Sequence, residues 1–302
     1  MNYINDIREL VGNTPLLKIN NFNLKNGVSI FAKLEQLNPG GSVKDRIGIY
    51  MIKKAEEQGI LNPGDTIVEA TAGNTGLGVA LGALNKGYRL IFVVPEKFSI
   101  EKQLLMKALG AEIINTPRET GMAGAIEKSQ ELLENIPNSV SLKQFENPAN
   151  PMIHYFTTGP EIFSALEGQV DYIVAGAGSG GTLTGIAGYL KEKSNGIKAV
   201  IADPEGSTIG GGKEGCYNIE GIGNNFIPVT LDMDLVDEVI KVNDDEAFGM
   251  VKELARKEGL IVGSSSGAAM EAALKLADRI DSGNIVVVFP DRGDRYFSKN
   301  IY

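Results

Sequence analysis

Short runs of β-branched and aliphatic residues alternate along this chain with amphipathic stretches of roughly ten to sixteen residues, and glycine-rich turns join many of them. This alternation is typical of parallel strands connected by crossover helices. The pattern predicts strands at 28–34, 66–69, 89–94, 112–115, 172–175, 199–202, 236–242 and 285–288. It predicts helices around 43–58, 76–86, 100–109, 122–135, 158–167, 182–193, 244–258 and 267–280.

Eight predicted strands in 302 residues exceed the plan of one compact domain, which typically holds about 100 to 150 residues. We therefore expect an α/β protein with two sheets in two domains. The polar, proline-containing stretch 146–151 is the candidate boundary between them.

The composition excludes several classes of protein. The formal net charge is −9, whereas a nucleic-acid binder needs a basic face. The longest apolar runs, 91–94 and 285–289, are far shorter than the roughly 20 residues of a membrane helix, and the N-terminus lacks the layout of a secretory signal. With one cysteine, Cys216, and one histidine, His154, we expect no disulfide within the chain, no metal site and a reducing cytoplasm.

The loop at 176–185 is the most informative of the glycine-rich turns. It follows a predicted strand and precedes a predicted helix, and its sequence is GAGSGGTLTG. Several backbone N–H groups and the hydroxyls of Ser179 and Thr182 can converge there on an anion at the helix N-terminus. The loop therefore predicts a phosphate site, although a tight turn with packing glycines has the same composition.

The same loop supports a different interpretation. Gly176, Gly178 and Gly181 spell G-x-G-x-x-G, and Asp203 follows 22 residues later at the end of a predicted strand. A dinucleotide-binding protein places its ribose-binding acid there. An NAD-dependent dehydrogenase using Gly176–Gly181 and Asp203 is thus the alternative function.

Lys44 lies in a second loop of this kind, in the sequence LNPGGSVKDR at 37–46. Ser42 followed by Asp45 predicts a helix N-cap with an acid at the third position. Lys44 would then lie in the first turn, where the helix dipole opposes a cation and favours the neutral amine that forms an imine with an aldehyde. A solvated surface lysine is the alternative.

Two further loops offer polar groups beside small residues. In the loop at 69–76, Thr71, Asn74 and Thr75 can hold a carboxylate or a phenolic oxygen. The loop at 263–268 places a row of serine hydroxyls at the start of an alanine-rich helix. A turn and a capped helix are the structural alternatives.

Taken together, the loops resemble the cysteine synthase and cystathionine β-synthase family of pyridoxal phosphate enzymes, which has the tryptophan-synthase-β-like fold (fold type II). The matching segments run in order over nearly the whole chain: GNTPL at 12–16, the Lys44 segment, TAGNTG at 71–76, NPMIHY at 150–155, TTGPE at 157–161, the 176–185 loop, PEGS at 204–207, GIG at 221–223, FIP at 226–228, PD at 290–291 and GDRY at 293–296.

The resemblance implies a role for each matching residue. Lys44 would bind pyridoxal phosphate covalently and act as acid and base at the substrate α-carbon. Asn74 would hydrogen-bond the hydroxyl oxygen on the cofactor ring, and Ser265 would face its pyridine nitrogen. The cofactor phosphate would be held by Gly178, Ser179, Gly180, Gly181 and Thr182. The substrate carboxylate would be bound by Thr71, Ala72, Gly73, Thr75 and Gln144.

The reaction implied is β-replacement on a serine- or cysteine-type amino acid through an aminoacrylate intermediate, with a thiol or sulfide as nucleophile. The fold implied has two three-layer α/β domains with mostly parallel twisted sheets and the cofactor in the cleft between them. The smaller, mobile domain would span 45–147, and the larger would combine 1–44 with 148–302. A homodimer is the usual state of the family, and an idle homologue that serves as a binding partner is the remaining alternative.

Two positions depart from the family pattern. Ala72 stands where cysteine synthases usually have a serine, so the hydroxyl that would touch the β-substituent is missing. The PEGS form at 204–207 is commoner in the cystathionine β-synthase branch, and Asn224-Asn225 matches neither branch. Ala72 and the PEGS form favour larger thiols as nucleophiles or cysteine as the donor, whereas Asn224-Asn225 leaves the choice of substrate open.

Overall fold

The computed structural model describes residues 3–71 and 73–302. The strands in that part of the chain are β1 (Leu16–Lys18), β2 (Val28–Leu34), β3 (Thr66–Ala70), β4 (Arg89–Pro95), β5 (Glu112–Thr116), β6 (Ser139–Val140), β7 (Tyr172–Gly176), β8 (Lys198–Pro204), β9 (Glu238–Val242) and β10 (Gly283–Phe289). None of the helices described is long and apolar enough to cross a bilayer.

The α-helices are α1 (Lys44–Glu57), α2 (Asn74–Ala83), α3 (Ile100–Ala108), α4 (Gly121–Asn135), α5 (Ala149–Ile153), α6 (Gly159–Ala165), α7 (Gly181–Lys193), α8 (Asp244–Glu258) and α9 (Ser264–Ala277). A π-helix, His154–Thr158, joins α5 to α6. Short 3-10 helices lie at Ile7–Leu10, Glu35–Leu37, Arg118–Thr120, Met233–Leu235 and Gly293–Lys299.

The helices and strands predicted from the sequence are confirmed, with bounds within three residues. The elements that the pattern missed are short or interrupted. Strands β1 and β6 span three and two residues, too few for a period to emerge. Helix α5 contains Pro151. The first turn of a helix tolerates proline, but in a sequence a proline usually predicts the end of a helix.

The chain divides into two compact units. The first comprises Met1–Val11 and Asn38–Ala149, and the second comprises Gly12–Leu37 and Asn150–Tyr302. The mobile domain expected over 45–147 stays a prediction. The predicted α/β class is confirmed, since each unit contains a mostly parallel sheet.

The first unit is built on a four-stranded parallel sheet in the order β5-β4-β3-β6. Its central strands β3 and β4 are almost fully buried, as expected when helices cover a parallel sheet. The 69–76 loop leaves the carboxyl end of β3, which is the end where open α/β sheets bind their ligands.

The second unit is built on a six-stranded sheet in the order β1-β2-β10-β7-β8-β9, in which only the pairing of β1 with β2 is antiparallel. Alternate residues of its strands enter two different cores. Val174 and Val200 pack with alanines of α9, whereas Ile173 and Ile201 pack with apolar residues of α7. The sheet therefore lies between two helical layers, and the 176–185 loop leaves the carboxyl end of β7.

Candidate active site

Lys44 is the first residue of α1 in the first unit. The predicted cap is wrong in detail. Val43, not Ser42, occupies the N-cap position, and Ser42 Oγ accepts a hydrogen bond from the Lys44 backbone N–H at 3.2 Å. Asp45 does not complete a capping box, since its Oδ2 accepts from the Gly40 N–H at 2.6 Å. The polar groups around Lys44 thus tie down the preceding loop.

The Lys44 side chain is partly exposed, but its amine is surrounded by protein atoms. The loss of hydration lowers the pKa of Lys44 to about 8. The direction of the pKa shift is the one predicted from the sequence, and burial is its cause. A lower pKa raises the neutral fraction near neutral pH, and the neutral amine is the nucleophile and the base.

Helices α1 and α2 touch through their backbones. A Cβ placed on Gly48 would lie 2.1 Å from the carbonyl carbon of Gly78, and one placed on Gly78 would lie 2.1 Å from the Lys44 carbonyl oxygen. Gly82, further along α2, lies against Ile49, further along α1, so the two helices run in the same direction. Lys44 and Asn74, the first residues of these helices, therefore lie at the same end of the pair.

The 69–76 loop is held in shape by its own hydroxyl groups. Thr71 Oγ1 accepts hydrogen bonds from the backbone N–H groups of Gly73 and Gly76, at 3.0 and 3.2 Å. Thr75 Oγ1 donates to Gln144 Oε1 at 2.6 Å, which joins two residues predicted to bind the substrate carboxylate. Gly73 has φ +129°, a conformation that favours glycine. Ala72 lies outside the described residues.

Three glycines of the 176–185 loop, in the second unit, have no room for a side chain. A Cβ on Gly178 would lie 2.4 Å from the Gly221 carbonyl oxygen, and one on Gly181 would lie 2.2 Å from Asn150 Oδ1. Gly180 has φ +80° and is the N-cap of α7. Because Gly180 has no side chain to cap the helix, the first-turn N–H groups of α7 are suited to an anion.

Side chains from later in the chain hold this loop. Asn224 Nδ2 donates to the Gly178 carbonyl at 2.6 Å, and Thr230 Oγ1 donates to the Ser179 carbonyl at 2.5 Å. Asn150 Nδ2 donates to Ser179 Oγ at 2.9 Å. With its carbonyls engaged in this way, the loop is preorganised for ligand binding. These supports could not be predicted from the sequence, because no local spacing links Thr230 to Ser179.

His154 is fully buried, and both of its ring nitrogens lie within hydrogen-bond distance of a threonine hydroxyl. Nδ1 lies 2.8 Å from Thr158 Oγ1, and Nε2 lies 3.2 Å from Thr182 Oγ1. The histidine thereby orients the Thr182 hydroxyl, which was predicted to contact the phosphate. Ser265, the second residue of α9, is 3% exposed.

The carboxylate of Asp203 is engaged inside the protein. Asp203 is fully buried, and its Oδ2 accepts from Lys241 Nζ at 2.6 Å and from the Gly210 N–H at 3.0 Å. A ribose hydroxyl would have to displace these partners. The geometry therefore argues against the dehydrogenase interpretation of Gly176–Gly181.

We predict that Asp203→Ala lowers the stability of the protein by about 2 kcal/mol, because two donors lose a charged acceptor. Thermal unfolding of the variant beside an Asp281→Ala control, which removes an exposed carboxylate, measures this change. Specific NAD binding by the parent protein that disappears in the Asp203 variant would contradict the structural role.

The family described as pyridoxal-phosphate dependent enzymes matches residues 7–291. The chain belongs to this family. It is 54% identical over 303 residues to the O-acetylserine dependent cystathionine beta-synthase of Bacillus subtilis (strain 168), covering 100% of this chain and 99% of the relative. The cofactor of the present chain is pyridoxal phosphate. The chain is a β-replacing enzyme of the cysteine synthase and cystathionine β-synthase type.

Two solved structures resemble the whole chain. The O-acetylserine dependent cystathionine beta-synthase of Helicobacter pylori has a TM-score of 0.96 and 48% identity, with 100% of both chains covered. A hydrogen sulfide-producing enzyme from Fusobacterium nucleatum has a TM-score of 0.94 and 41% identity, with 98% of this chain and 100% of that chain covered.

The residues described fit this cofactor. Lys44 supplies an amine of lowered pKa, and the 176–185 loop supplies a glycine cradle without room for side chains. Ser265 adds a neutral hydroxyl at the start of α9. An aldehyde, a phosphate and a pyridine nitrogen each have a chemically suitable group in the chain.

Proposed function

We propose that this enzyme joins O-acetylserine to homocysteine by β-replacement, releasing acetate and forming cystathionine. The observation that carries the chemistry is the Lys44 amine, whose lowered pKa suits a group that must bind an aldehyde and transfer a proton. The choice of substrates is supported by the name of the 54% identical Bacillus subtilis relative.

We further propose the roles that the resemblance implies for each residue. Lys44 holds the cofactor covalently, Asn74 hydrogen-bonds the hydroxyl oxygen on the cofactor ring, and Ser265 faces its pyridine nitrogen. The phosphate is held by Gly178, Ser179, Gly180, Gly181 and Thr182. The substrate carboxylate is held by Thr71, Ala72, Gly73, Thr75 and Gln144.

Pyridoxal phosphate, when bound, supplies an electron sink next to the substrate α-carbon. Once the substrate amine has replaced it on the cofactor, Lys44 Nζ would be a neutral amine that takes the α-proton and later returns a proton to the same carbon. Acetate leaves the β-carbon with the bonding electron pair, and the homocysteine thiolate then forms the new C–S bond. A neutral Ser265 draws less electron density than a charged partner would, which favours elimination over reactions that need a longer-lived carbanion.

A second candidate reaction uses cysteine as the donor and releases sulfide. Ala72 favours it, because this residue lacks the hydroxyl that cysteine synthases usually place near the β-substituent. The 41% identical structure from Fusobacterium nucleatum is named as a hydrogen sulfide-producing enzyme. Both reactions would use the same residues and differ in the leaving group.

Product analysis of the purified holoenzyme tests the proposal. We expect O-acetylserine with L-homocysteine to give cystathionine by mass spectrometry, faster than L-cysteine with L-homocysteine releases sulfide. Faster sulfide release would select the second candidate. A yellow protein that forms no thioether and no cysteine from O-acetylserine, serine or cysteine with homocysteine or sulfide would contradict β-replacement.

We also propose a homodimer that works in the cytoplasm with small-molecule amino acids and a thiol or sulfide as its partners. Light scattering of the holoenzyme tests the dimer. A mass equal to one 32.3 kDa chain would contradict it.

A further inference from the structure

Glu69 is a buried carboxyl group to which the proposed reaction assigns no role. It is the penultimate residue of β3, it is 4% exposed, and it lies two residues before Thr71. All of the hydrogen bonds described for its side chain go to one short segment, the residues between β6 and Gln144.

Three donors of that segment point at a single oxygen of Glu69. Oε1 accepts from the Ser141 hydroxyl at 3.1 Å, from the Lys143 N–H at 3.2 Å and from the Leu142 N–H. The parallel pairing of β3 with β6 ends at Ile67 opposite Val140. The carboxyl of Glu69 therefore supplies the acceptor that the sheet no longer provides to the residues after β6.

The segment needs this support because it contains an unfavourable turn. Lys143 has φ +53°, in the left-handed region that side chains other than glycine rarely adopt. The Lys143 carbonyl accepts hydrogen bonds from the N–H groups of Glu146 and Asn147, both at 2.9 Å, and these two bonds hold the turn. Gln144 directly follows Lys143, and the direction of its side chain depends on this turn.

Gln144 in turn contacts the 69–76 loop, since its Oε1 accepts from Thr75 Oγ1 at 2.6 Å. A closed path thus runs from Glu69 through the turn at Lys143 to Gln144 and Thr75, and back along the chain to Glu69. The residues proposed to bind the substrate carboxylate lie on this path.

We propose that Glu69 is a positioning residue of the substrate-carboxylate site: it holds the strained turn at Lys143 and so fixes Gln144 against Thr75. This inference rests on the proposed function. Burial raises the pKa of Glu69 to about 7, against the opposing effect of its hydrogen bonds. A glutamine, whose amide oxygen is also an acceptor, can therefore replace the neutral form of the carboxyl.

Steady-state kinetics of the holoenzyme with O-acetylserine and L-homocysteine tests the inference. We expect Glu69→Leu to raise KM for O-acetylserine at least about tenfold with a smaller change in kcat, because the site loses its alignment while the reacting groups remain. We expect Glu69→Gln to stay close to the parent enzyme. The control Glu112→Gln, an exposed glutamate paired with Arg89 on the same sheet, should change neither constant.

A rescue experiment separates positioning from a general loss of folding. Glycine adopts a positive φ without strain. Adding Lys143→Gly to Glu69→Leu should therefore bring KM for O-acetylserine a large part of the way back to the parent value. In a Gln144→Ala background, Glu69→Leu should have little further effect on KM, because both changes interrupt the same path.

Three results would overturn the inference: an unchanged KM in Glu69→Leu, a Glu69→Gln variant as impaired as Glu69→Leu, or effects of Glu69→Leu and Gln144→Ala that multiply. These failures differ from failure of the proposed function. The latter would appear in the parent enzyme, as a cofactor-loaded protein that does not turn over O-acetylserine.

Discussion

Replacing Lys44 with alanine is expected to abolish the visible absorbance of the covalently bound cofactor and to lower β-replacement by at least about 10³-fold, since the proposed function assigns both attachment and proton transfer to this one group. The variant should still fold, because the Lys44 side chain is partly exposed at the start of α1. The spectrum of the protein loaded with pyridoxal phosphate and the rate of cystathionine formation measure the two effects.

Lys53→Ala is the matched control for this change. Lys53 lies on the same helix, its side chain is 63% exposed, and its ion pair with Glu57 is long, at 3.8 Å. Its loss should leave the spectrum and the rate unchanged. A Lys44→Ala protein with the parent spectrum and activity would show that another amine holds the cofactor.

Gly178→Ala is expected to weaken the binding of pyridoxal phosphate by roughly 5- to 150-fold, the effect of about 1 to 3 kcal/mol of overpacking. The new methyl group would lie 2.4 Å from the Gly221 carbonyl oxygen, and backbone cannot yield as a flexible side chain can. The shift would also disturb the bond from Asn224 Nδ2 to the Gly178 carbonyl. Titration of the cofactor-free protein with pyridoxal phosphate measures the change.

Gly188→Ala tests whether the effect belongs to the loop or to any added methyl group. Gly188 lies in α7, and the atom nearest to its added Cβ is Tyr155 Cδ2 at 3.7 Å, an ordinary contact. This substitution should leave the affinity for pyridoxal phosphate unchanged and favour the helix by up to about 1 kcal/mol. Equal losses of affinity in both variants would contradict a specific role for the 176–185 loop.

The parts of the molecule that the sequence predicted well are those with local causes. Hydrophobic period located the main strands and helices, and closely spaced glycines after a strand located the 176–185 loop. The residues that hold these loops by hydrogen bonds were missed because they lie far from the loops in sequence. Thr230 donates a hydrogen bond to Ser179 from 51 residues away, and Glu69 accepts one from Lys143, 74 residues away. No local sequence pattern predicts either contact.

The error at Ser42 has a local origin. A serine three residues before an acid is the usual signature of a capping box, but the turn through Gly40 brings the Asp45 carboxylate to a different N–H group. Strand β6 shows the limit of periodicity itself, since two residues cannot display a period. The misses thus have three causes: contacts between distant parts of the chain at Thr230 and Glu69, an unforeseen local turn at Gly40, and the shortness of β6.

The backbone contact between α1 and α2 has a consequence for how enzymes of this kind can diversify. Any side chain at Gly48 or Gly78 would force the helices apart and move Lys44 relative to Asn74. Catalysis tolerates such movement poorly, since a displacement of about 1 Å can cost roughly 100-fold in rate. Divergence of donor specificity is therefore expected to be confined to loops, while homologues that act on different donors retain glycine at both helical positions.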